Sequence, residues 1–293
     1  MKYLYIFLVL LTAVVWLALL STPDKNFHLI SCDVGQGDSM LLTYKNFQVL
    51  IDGGPNNKVL TCLTNHIPFY DKTIEVVILT HPESDHFTGL IDVFKNYKIE
   101  YFLANEVDSG TVSYSLLKNM VGGSPTKVIN PLTGLTLRYD LIHLDILHPS
   151  QTFINSQKEG ESATSTSKLG TFETKRNLNE FSIIGLWTFK DFTALTTGDI
   201  PTSTLNEVVL ANSLSNITYL KVPHHGSKTG LTTNVLESLK PKIGVISVAK
   251  SNIYHLPDDM VLNALKESKV KTLRTDELGT IEVVTDGRSW WVK

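Results

Sequence analysis

The sequence predicts an α+β fold in which two β-sheets pack face to face and helices cover their outer surfaces. Apolar segments of strand length recur through both halves of residues 27–293, and helix-like segments follow them in each half. A sheet must bury its apolar face against another layer, and two packed sheets with outer helices satisfy this requirement. A separate apolar run precedes this body and predicts an N-terminal membrane-spanning helix.

The composition is that of a packed globular protein with little net charge. The chain has 293 residues, of which 42% are hydrophobic and 19% are charged, and its formal net charge is −3. Without a global positive field, a protein whose main task is to bind nucleic acid is disfavoured. This argument does not apply to an enzyme whose metal ions neutralise an anionic substrate locally.

The two cysteines, Cys32 and Cys62, are too few for a disulfide framework or for a cysteine-rich zinc site. A single bridge between them is compatible with a location outside the cytoplasm. Because Cys32 lies in an apolar strand, we expect instead that it is a small buried residue.

Residues 3–20 contain no charge and no strong helix breaker. At a rise of about 1.5 Å per residue they span roughly 27 Å, just enough to cross a hydrocarbon core. Lys2 gives a weak positive flank, consistent with an inside amino end. We therefore predict that residues 1–22 are an uncleaved membrane anchor, with a cleaved signal peptide as the alternative. In both cases the body lies outside the cytoplasm, anchored or secreted.

In the first half of the body, strand-like segments end at polar residues. Residues 27–33 are followed by the loop 34–39, and the strands 40–44 and 47–52 are joined by a short turn and end at Asp52. The apolar run 74–79 leads directly into His81, Glu83, Asp85 and His86. Acids and histidines gathered at strand ends mark the rim where a site can be built.

The next segments alternate between helix and strand. We predict a helix over 87–97, a strand over 99–103, a helix over 114–121 and strands within 135–147. Residues 150–176 are rich in Ser, Thr, Gly and Lys and predict a flexible loop. The loop interrupts a single domain of residues 27–293, because nothing in the composition marks a boundary there.

The second half repeats this plan. Residues 181–189 and 192–196 form a predicted hairpin whose second strand leads to Asp199, at the start of a helix. The strand 217–222 leads to His224 and His225. A strand over 243–248, a helix over 257–265 and strands near 271–273 and 280–284 complete the body.

The polar groups at the strand ends predict a metal site. Imidazole and carboxylate groups from separate strands are suitable ligands for a divalent cation such as zinc. Together they could hold two cations about 3.5–4 Å apart, which would activate a water and stabilise the attacking and leaving oxygens. Each element also has a simpler interpretation, because Asp52 could belong to a turn and Asp199 could cap a helix. Four such elements together favour the metal site.

Five motifs resemble the metallo-β-lactamase superfamily: residues 33–39 (DVGQGDS), 52–54 (DGG), 80–89 (THPESDHFTG), 197–200 (TGDI) and 222–227 (VPHHGS). More narrowly, residues 27–293 resemble the metallohydrolase domain of the ComEC/Rec2 competence proteins. The resemblance implies a four-layer αββα sandwich with a metal site at one edge of the sheets. It also implies a set of ligands: His81, Asp85, His86, Asp199 as the bridging carboxylate, and one histidine of the pair His224 and His225. Asp85 and His86 are the predicted catalytic residues, and Asp85 would orient the attacking water.

The chain departs from the family pattern at two positions. Glu83 stands where superfamily members with two full metal sites usually have a second histidine. The competence proteins often carry an acid there, so Glu83 is interpreted as a weaker ligand or as a hydrogen-bond acceptor behind the ligands. Leu256 stands where relatives have a histidine near the end, and His255 lies one residue earlier. His255 and Asp52 are therefore additional candidate ligands, whereas His148 is interpreted as a loop histidine. The resemblance predicts zinc, and the larger share of acids favours manganese.

The predicted function is a metal-dependent hydrolase that cleaves phosphodiesters, with single-stranded DNA as the candidate substrate. One anchor cannot conduct DNA, and we find no basic stripe with interleaved aromatic residues of the kind that tracks a strand. An envelope esterase or small-molecule hydrolase is the first alternative, and a non-catalytic, metal-stabilised binding domain is the second. Retention of Asp85, His86 and Asp199 argues against the second. The sequence indicates no protein partner.

Overall fold

A computed structural model of the protein describes residues 2–20, 23–157 and 169–293. The strands are, in chain order, β1 Phe27–Ser31, β2 Met40–Tyr44, β3 Phe47–Ile51, β4 Thr73–Leu79, β5 Lys98–Ala104, β6 Lys127–Ile129, β7 Thr136–Tyr139, β8 Ile142–His148, β9 Ile184–Phe189, β10 Phe192–Thr196, β11 Tyr219–Lys221, β12 Ile243–Ile246, β13 Lys271–Arg274, β14 Ile281–Thr285 and β15 Trp290–Val292. The helices are α1 Lys2–Leu20, α2 Lys58–His66, α3 Ser84–Phe87, α4 Leu90–Asn96, α5 Val112–Gly122, α6 Gln151–Gln157, α7 Thr202–Ala211, α8 Thr233–Leu239, α9 Asp259–Glu267 and α10 Thr275–Leu278.

The first sheet has eight strands in the order β15-β14-β1-β2-β3-β4-β5-β6. The strands from β15 to β3 pair antiparallel, and those from β3 to β6 pair parallel. The predicted turn between β2 and β3 includes Lys45, which has a φ of 55°. Two-residue hairpin turns need this left-handed conformation because it matches the twist of the flanking strands.

The second sheet has seven strands in the order β13-β12-β11-β10-β9-β8-β7. The strands from β7 to β10 pair antiparallel, and those from β10 to β13 pair parallel. Each sheet therefore contains a run of parallel strands whose carboxyl ends lie at the same edge. Ligand sites in open α/β sheets form at such edges.

The two sheets pack face to face through an apolar core. Phe27, Trp187 and Phe189 are buried there, and the ring centroids of Phe27 and Phe189 are 5.7 Å apart. Leu29 faces this core, while the next residue, Ile30, faces the outer helices, as the two-residue period of a strand requires. Burial of each large apolar side chain contributes roughly 1.5–3 kcal/mol.

Helices cover the outer face of each sheet. The helices α2, α4 and α5 pack Val59, Leu90 and Leu117 against the first sheet. The helices α7, α8 and α9 do the same for the second sheet, through Leu205, Leu236 and Leu265. The prediction of two packed sheets with outer helices is confirmed, and the order of layers is αββα.

The predicted membrane-spanning helix is wrong. Within the part of the chain that the structure describes, no helix is both long enough and apolar enough to cross a membrane.

Two other expectations change. The predicted loop 150–176 is helical over Gln151–Gln157, and Phe172 bridges to Val107, while its central residues 158–168 lie outside the described residues. Cys32 is not an unpaired residue, because it forms a disulfide with Cys62. Cys32 directly follows β1 and lies on the outer face of the first sheet, where α2 packs. This packing places the Cα atoms of Cys32 and Cys62 5.8 Å apart.

Candidate metal centre

The candidate site lies where the carboxyl ends of parallel strands from both sheets meet. In the first sheet, β3 is followed by Asp52 and β4 by residues 80–86. In the second sheet, β10 leads to Asp199, and β11 leads to His224 and His225. Four strand ends, two from each sheet, therefore supply the predicted side chains.

Asp52 holds the ring of His86. The Nδ1 atom of His86 lies 2.8 Å from Asp52 Oδ2, and both side chains are buried. The same carboxylate accepts hydrogen bonds from Thr80, one from its backbone N–H at 2.8 Å and one from its hydroxyl at 2.7 Å. Because a carboxylate can only accept, Nδ1 of the neutral His86 ring carries the proton and Nε2 carries the lone pair.

Thr80 and Ser182 flank His81. The Nδ1 atom of His81 lies 3.1 Å from Thr80 Oγ1 and 3.4 Å from Ser182 Oγ. The Thr80 hydroxyl already donates to Asp52, so it accepts from His81 Nδ1. Ser182 Oγ also accepts from the backbone N–H of Asp199 at 3.1 Å. These contacts leave Nε2 of His81 as the lone-pair atom.

His225 has the same arrangement. Its Nδ1 donates to the carbonyl of Ser247 at 2.9 Å, and its Nε2 lies 3.3 Å from Asp85 Oδ2 and 3.4 Å from Asp199 Oδ2. Three histidines therefore hold Nδ1 against an acceptor and direct Nε2 to one small volume. A histidine that binds a metal ion usually donates its other ring N–H in this way.

Candidate ligand atoms of the described residues lie within 4.8 Å of one another in four overlapping sets, two of which are formed by His81, His86 and Asp199 and by Asp85, His86 and His225. His86 belongs to both of these two. Asp199 Oδ2 lies 3.4 Å from Nε2 of His86 and 3.4 Å from Nε2 of His225, so this carboxylate lies between them.

Within the described part of the chain, Nε2 of His81, Nε2 of His86 and Oδ1 of Asp199 are buried without a hydrogen-bond partner. Each such atom costs roughly 1–3 kcal/mol if it stays unpaired. Imidazole nitrogens and carboxylate oxygens are ligands that zinc and manganese accept. These residues therefore fit a divalent cation.

The charges in the site also favour a cation. Burial lowers the pKa of His225, but the carboxylates of Asp199 and Asp38 outweigh it and raise this pKa to about 10. Burial likewise lowers the pKa of His86, and Asp199 and Asp52 raise it well above its usual value. A proton on Nε2 of either imidazole would compete with a metal ion for that nitrogen.

Three predicted residues lie at the solvent side of this cluster. Glu83 Oε2 is 3.9 Å from His81 Nε2, and its side chain is 37% exposed. Asp85 is partly exposed, and its Oδ2 faces both His225 and His86. His224 is also partly exposed, and its Nε2 is 4.0 Å from Asp199 Oδ2. Of the histidine pair, His225 is the one buried in the cluster.

Two other histidines lie away from the cluster. His255 is exposed on the segment between β12 and α9, and no candidate ligand set among the described residues includes it. His148 is buried, with its Nε2 2.9 Å from the carbonyl of Glu180 and its ring against Phe153. His148 therefore takes part in local packing.

Comparison with solved structures shows which fold carries this cluster. The metallo-β-lactamase fold protein YhfI from Bacillus subtilis superposes with a TM-score of 0.54 at 12% identity, covering 91% of this chain and 100% of that one. The chain has the metallo-β-lactamase fold. CmlA, a diiron β-hydroxylase from Streptomyces venezuelae, shares it with a TM-score of 0.51 at 12% identity, covering 86% of this chain and 53% of that one.

The sequence relatives are competence proteins. ComE operon protein 3 of Bacillus subtilis is 27% identical over 279 residues, which cover 85% of this chain and 32% of that protein. Recombination protein 2 of Haemophilus influenzae is 23% identical over 256 residues, covering 86% of this chain and 28% of that protein. The predicted resemblance is confirmed, although the chain spans about a third of the length of these relatives. No protein-family model matches it.

Two residues of this metallo-β-lactamase fold site were not predicted as site residues. Asp38 is buried beside the cluster, and it belongs to two candidate ligand sets, with Asp52 and His86 and with Asp199 and His225. Lys221, at the end of β11, is buried too and donates to Asp38 Oδ2 at 2.6 Å. Asp38 lies in the motif at residues 33–39, so the sequence contained a pattern that could have identified it as a site residue. Lys221 ends an apolar strand, and no sequence pattern identifies it.

Proposed function

We propose that this chain is a metal-dependent hydrolase that cleaves phosphodiester bonds, and that single-stranded DNA is among its substrates. The observation that carries the proposal is the set of buried, unpartnered atoms on His81, His86 and Asp199. A protein tolerates such atoms when a bound group satisfies them, and a divalent cation fits this donor set.

His81, His86, Asp85, Asp199 and His225 would hold the cations, with Asp199 between the two ligand sets. When bound, two cations would activate a water and stabilise the attacking and leaving oxygens of a displacement. The chain's own contribution is orientation, because Asp52, Thr80 and Ser247 hold the three imidazole rings through Nδ1.

Asp85 is the residue that we assign to the attacking water. Its carboxylate is partly exposed, whereas His86 and Asp199 are fully enclosed. Burial raises the pKa of the Asp85 carboxyl, but the hydrogen bond from His225 and the charge of His86 outweigh it and lower this pKa. Asp85 therefore stays ionised near neutral pH and can accept a hydrogen bond from a water.

The substrate class is supported by the relatives. The chain resembles proteins named for competence and recombination, both of which act on DNA, but it spans only about a third of their length. A diphosphatase of the PhnP family shares the fold, with a TM-score of 0.50 at 13% identity over 88% of this chain and 97% of that one. Its name supports hydrolysis at phosphate groups.

Two observations support a location outside the cytoplasm. The competence relatives support a role at the cell envelope. The disulfide between Cys32 and Cys62 supports an oxidising compartment, because thiols in the cytoplasm are normally kept reduced. We therefore propose that the domain works outside the cytoplasm.

The test uses the full chain, stripped with a chelator and then supplied with Mn²⁺ or Zn²⁺. We expect it to bind the metal and to cleave bis(p-nitrophenyl) phosphate and a labelled single-stranded oligonucleotide. Asp85→Ala should lower kcat by at least about 100-fold without loss of folding, because it removes the group that orients the water. Asp92→Asn is the matched control, since Asp92 pairs with Lys95 on α4.

Three outcomes would contradict the proposal. A chain that binds neither metal and cleaves neither substrate is not a metal-dependent hydrolase. Turnover of a carboxylic ester or a lactam, with none of the phosphodiesters, would assign an esterase or small-molecule hydrolase instead. Equal activity in Asp85→Ala and Asp92→Asn would remove Asp85 from the mechanism.

A further inference from the structure

The buried ion pair of Asp38 and Lys221 needs an explanation. The two side chains are 6% and 5% exposed, and Lys221 Nζ lies 2.6 Å from Asp38 Oδ2. Desolvation of two charges costs several kcal/mol per ion, so a buried pair contributes little to stability in most proteins. Stability alone therefore does not account for this pair, and its contacts with the neighbouring site indicate a role there.

Three short segments of the site meet at this pair. The backbone N–H of Asp38 donates to the carbonyl of Asp85 at 3.2 Å. The carbonyl of Lys221 accepts from the hydroxyl of Thr197, two residues before Asp199, at 2.8 Å. Lys221 Nζ also donates to the carbonyl of Val222, just before the histidine pair, at 3.2 Å. The pair thus contacts the three segments that carry Asp85, Asp199 and the histidine pair.

The pair faces His225 through one atom. Asp38 Oδ1 lies 3.4 Å from His225 Nδ1, on the side of the ring opposite Asp85 and Asp199. The nearer acceptor of that Nδ1 is the carbonyl of Ser247, so Asp38 adds a negative charge next to an N–H that is already held. A carboxylate behind a histidine fixes the ring and makes the opposite nitrogen a better ligand.

Lys221 decides which role Asp38 plays. Without the ammonium, the buried Asp38 carboxylate would lack its strongest partner and could turn toward a cation. One of its oxygens already lies within 4.8 Å of candidate ligand atoms of Asp199 and His225. With Lys221 in place, Asp38 Oδ2 is occupied and only Oδ1 faces the histidine.

We propose that Asp38 and Lys221 are positioning residues that orient His225 for metal binding. This inference rests on the proposed metal-dependent function, because it assigns a role toward the same site. Neither residue would touch the substrate, and the expected effect is on the affinity for the cation.

The test is a calorimetric titration of the metal-free full chain with Mn²⁺ and with Zn²⁺. Lys221→Met keeps a long side chain but removes the charge, and we expect it to weaken metal affinity by about 10–100-fold. Lys118→Met is the matched control, because Lys118 pairs with Asp108 away from the site and the affinity should stay unchanged. If Lys221→Met does not fold, the double variant Asp38→Asn/Lys221→Met, which removes both charges, is titrated in its place.

A second variant separates positioning from a merely structural role. In a His225→Ala background, Lys221→Met should cause no further loss of affinity, because the pair acts through that ring. An additive loss would overturn the inference, and so would a folded Lys221→Met protein with wild-type affinity. If the wild-type chain binds neither metal, the proposed function fails together with this inference. If it binds metal and only the variant behaves as wild type, this inference alone fails.

Discussion

At the scale of single residues, the conformation of the histidine pair is under strain. His224 and His225 have φ values of 51° and 53°, a left-handed conformation that costs roughly 1–2 kcal/mol for a residue with a Cβ. The surrounding backbone holds them, since the N–H of His224 donates to the carbonyl of Gly198, and the carbonyl of Gly226 accepts from Asp258. Strain of this kind persists where the surroundings fix it, often at functional sites.

A second residue, His28, lies outside the metal centre and makes the folding stability depend on pH. Its Nδ1 lies 2.6 Å from Glu282 Oε1 and its Nε2 lies 2.9 Å from Asp24 Oδ1. Burial lowers the pKa of His28, but the hydrogen bonds that its ring donates to Glu282 and Asp24 outweigh it and raise this pKa above its usual value. The stability from these bonds is therefore complete below the unfolded pKa of about 6.5 and is lost as the pH rises through the folded pKa.

We predict that His28→Gln costs more stability at pH 5.5 than at pH 9. The cost at pH 5.5 should be about 1–3 kcal/mol, the range for hydrogen bonds to charged groups. Urea unfolding at both pH values measures it. Val284→Ala is the control, because Val284 of β14 lies opposite His28 of β1 in the sheet. Its side chain is buried and has no titratable group. An equal cost of His28→Gln at both pH values would contradict the prediction.

At the scale of elements, two glycine loops hold the start of α3 and α4 against β3. The backbone N–H of Gly53 donates to the carbonyl of His86, and the N–H of Gly89 donates to the carbonyl of Gly54. A Cβ built on Gly89 would lie 2.0 Å from the carbonyl oxygen of Gly53. The close approach of these two backbones places Asp52 behind His86.

Gly89→Ala should therefore be strongly destabilising, by about 3 kcal/mol, because a backbone atom must move to admit the methyl group. Gly122→Ala is the matched control in α5, where a Cβ would meet nothing within 4 Å. That change should stabilise the protein by about 0.5–1 kcal/mol. Chemical denaturation of the two variants compares them, and similar values would contradict the packing argument.

The elements that the sequence predicted are those with a clear apolar period. The strands around Phe27, Val49 and Val77 were predicted because their mostly apolar segments have strand length and are bounded by turn signals. The helices α2 and α8 and the short strands β6 and β15 were not predicted. In α2 the buried residues Val59, Cys62 and Leu63 have helical spacing, but the helix has only nine residues, too few for its period to be clear in the sequence.

At the scale of the whole molecule, the sequence could show which residues end strands but not which ends meet across the two sheets. His81, Asp85 and His86 lie in one short segment, so their proximity follows from spacing alone. Asp38 and Lys221 are 183 residues apart, and no local pattern indicates that they form a pair. The strand-end positions of Asp52, Asp199 and the histidine pair suggested that these residues converge, and the resemblance to a known superfamily added the expected ligand set.

The disulfide also acts at this scale, because it joins the first sheet to its outer helical layer. Cys32 directly follows β1, where its N–H donates to the carbonyl of Ser39, and Cys62 lies in α2. The bridge therefore closes a segment that contains the loop 33–39 and the strands β2 and β3. With a sequence separation of 30 between the cysteines, chain entropy gives a stabilisation of about 3–4 kcal/mol.

We predict that the variant Cys32→Ala/Cys62→Ala loses about this amount in urea unfolding, and that wild type in dithiothreitol loses about the same. Dithiothreitol should leave the double variant unchanged, which separates the bridge from other effects of the reductant. Both cysteines are buried, so alanine keeps the apolar contact and the loss reports mainly on the cross-link. If reduced wild type unfolds at the same urea concentration as the oxidised protein, the bridge does not stabilise the fold. The loop 33–39 must then be held by its other contacts, such as the backbone bond from Asp38 to Asp85 and the ion pair of Asp38 with Lys221.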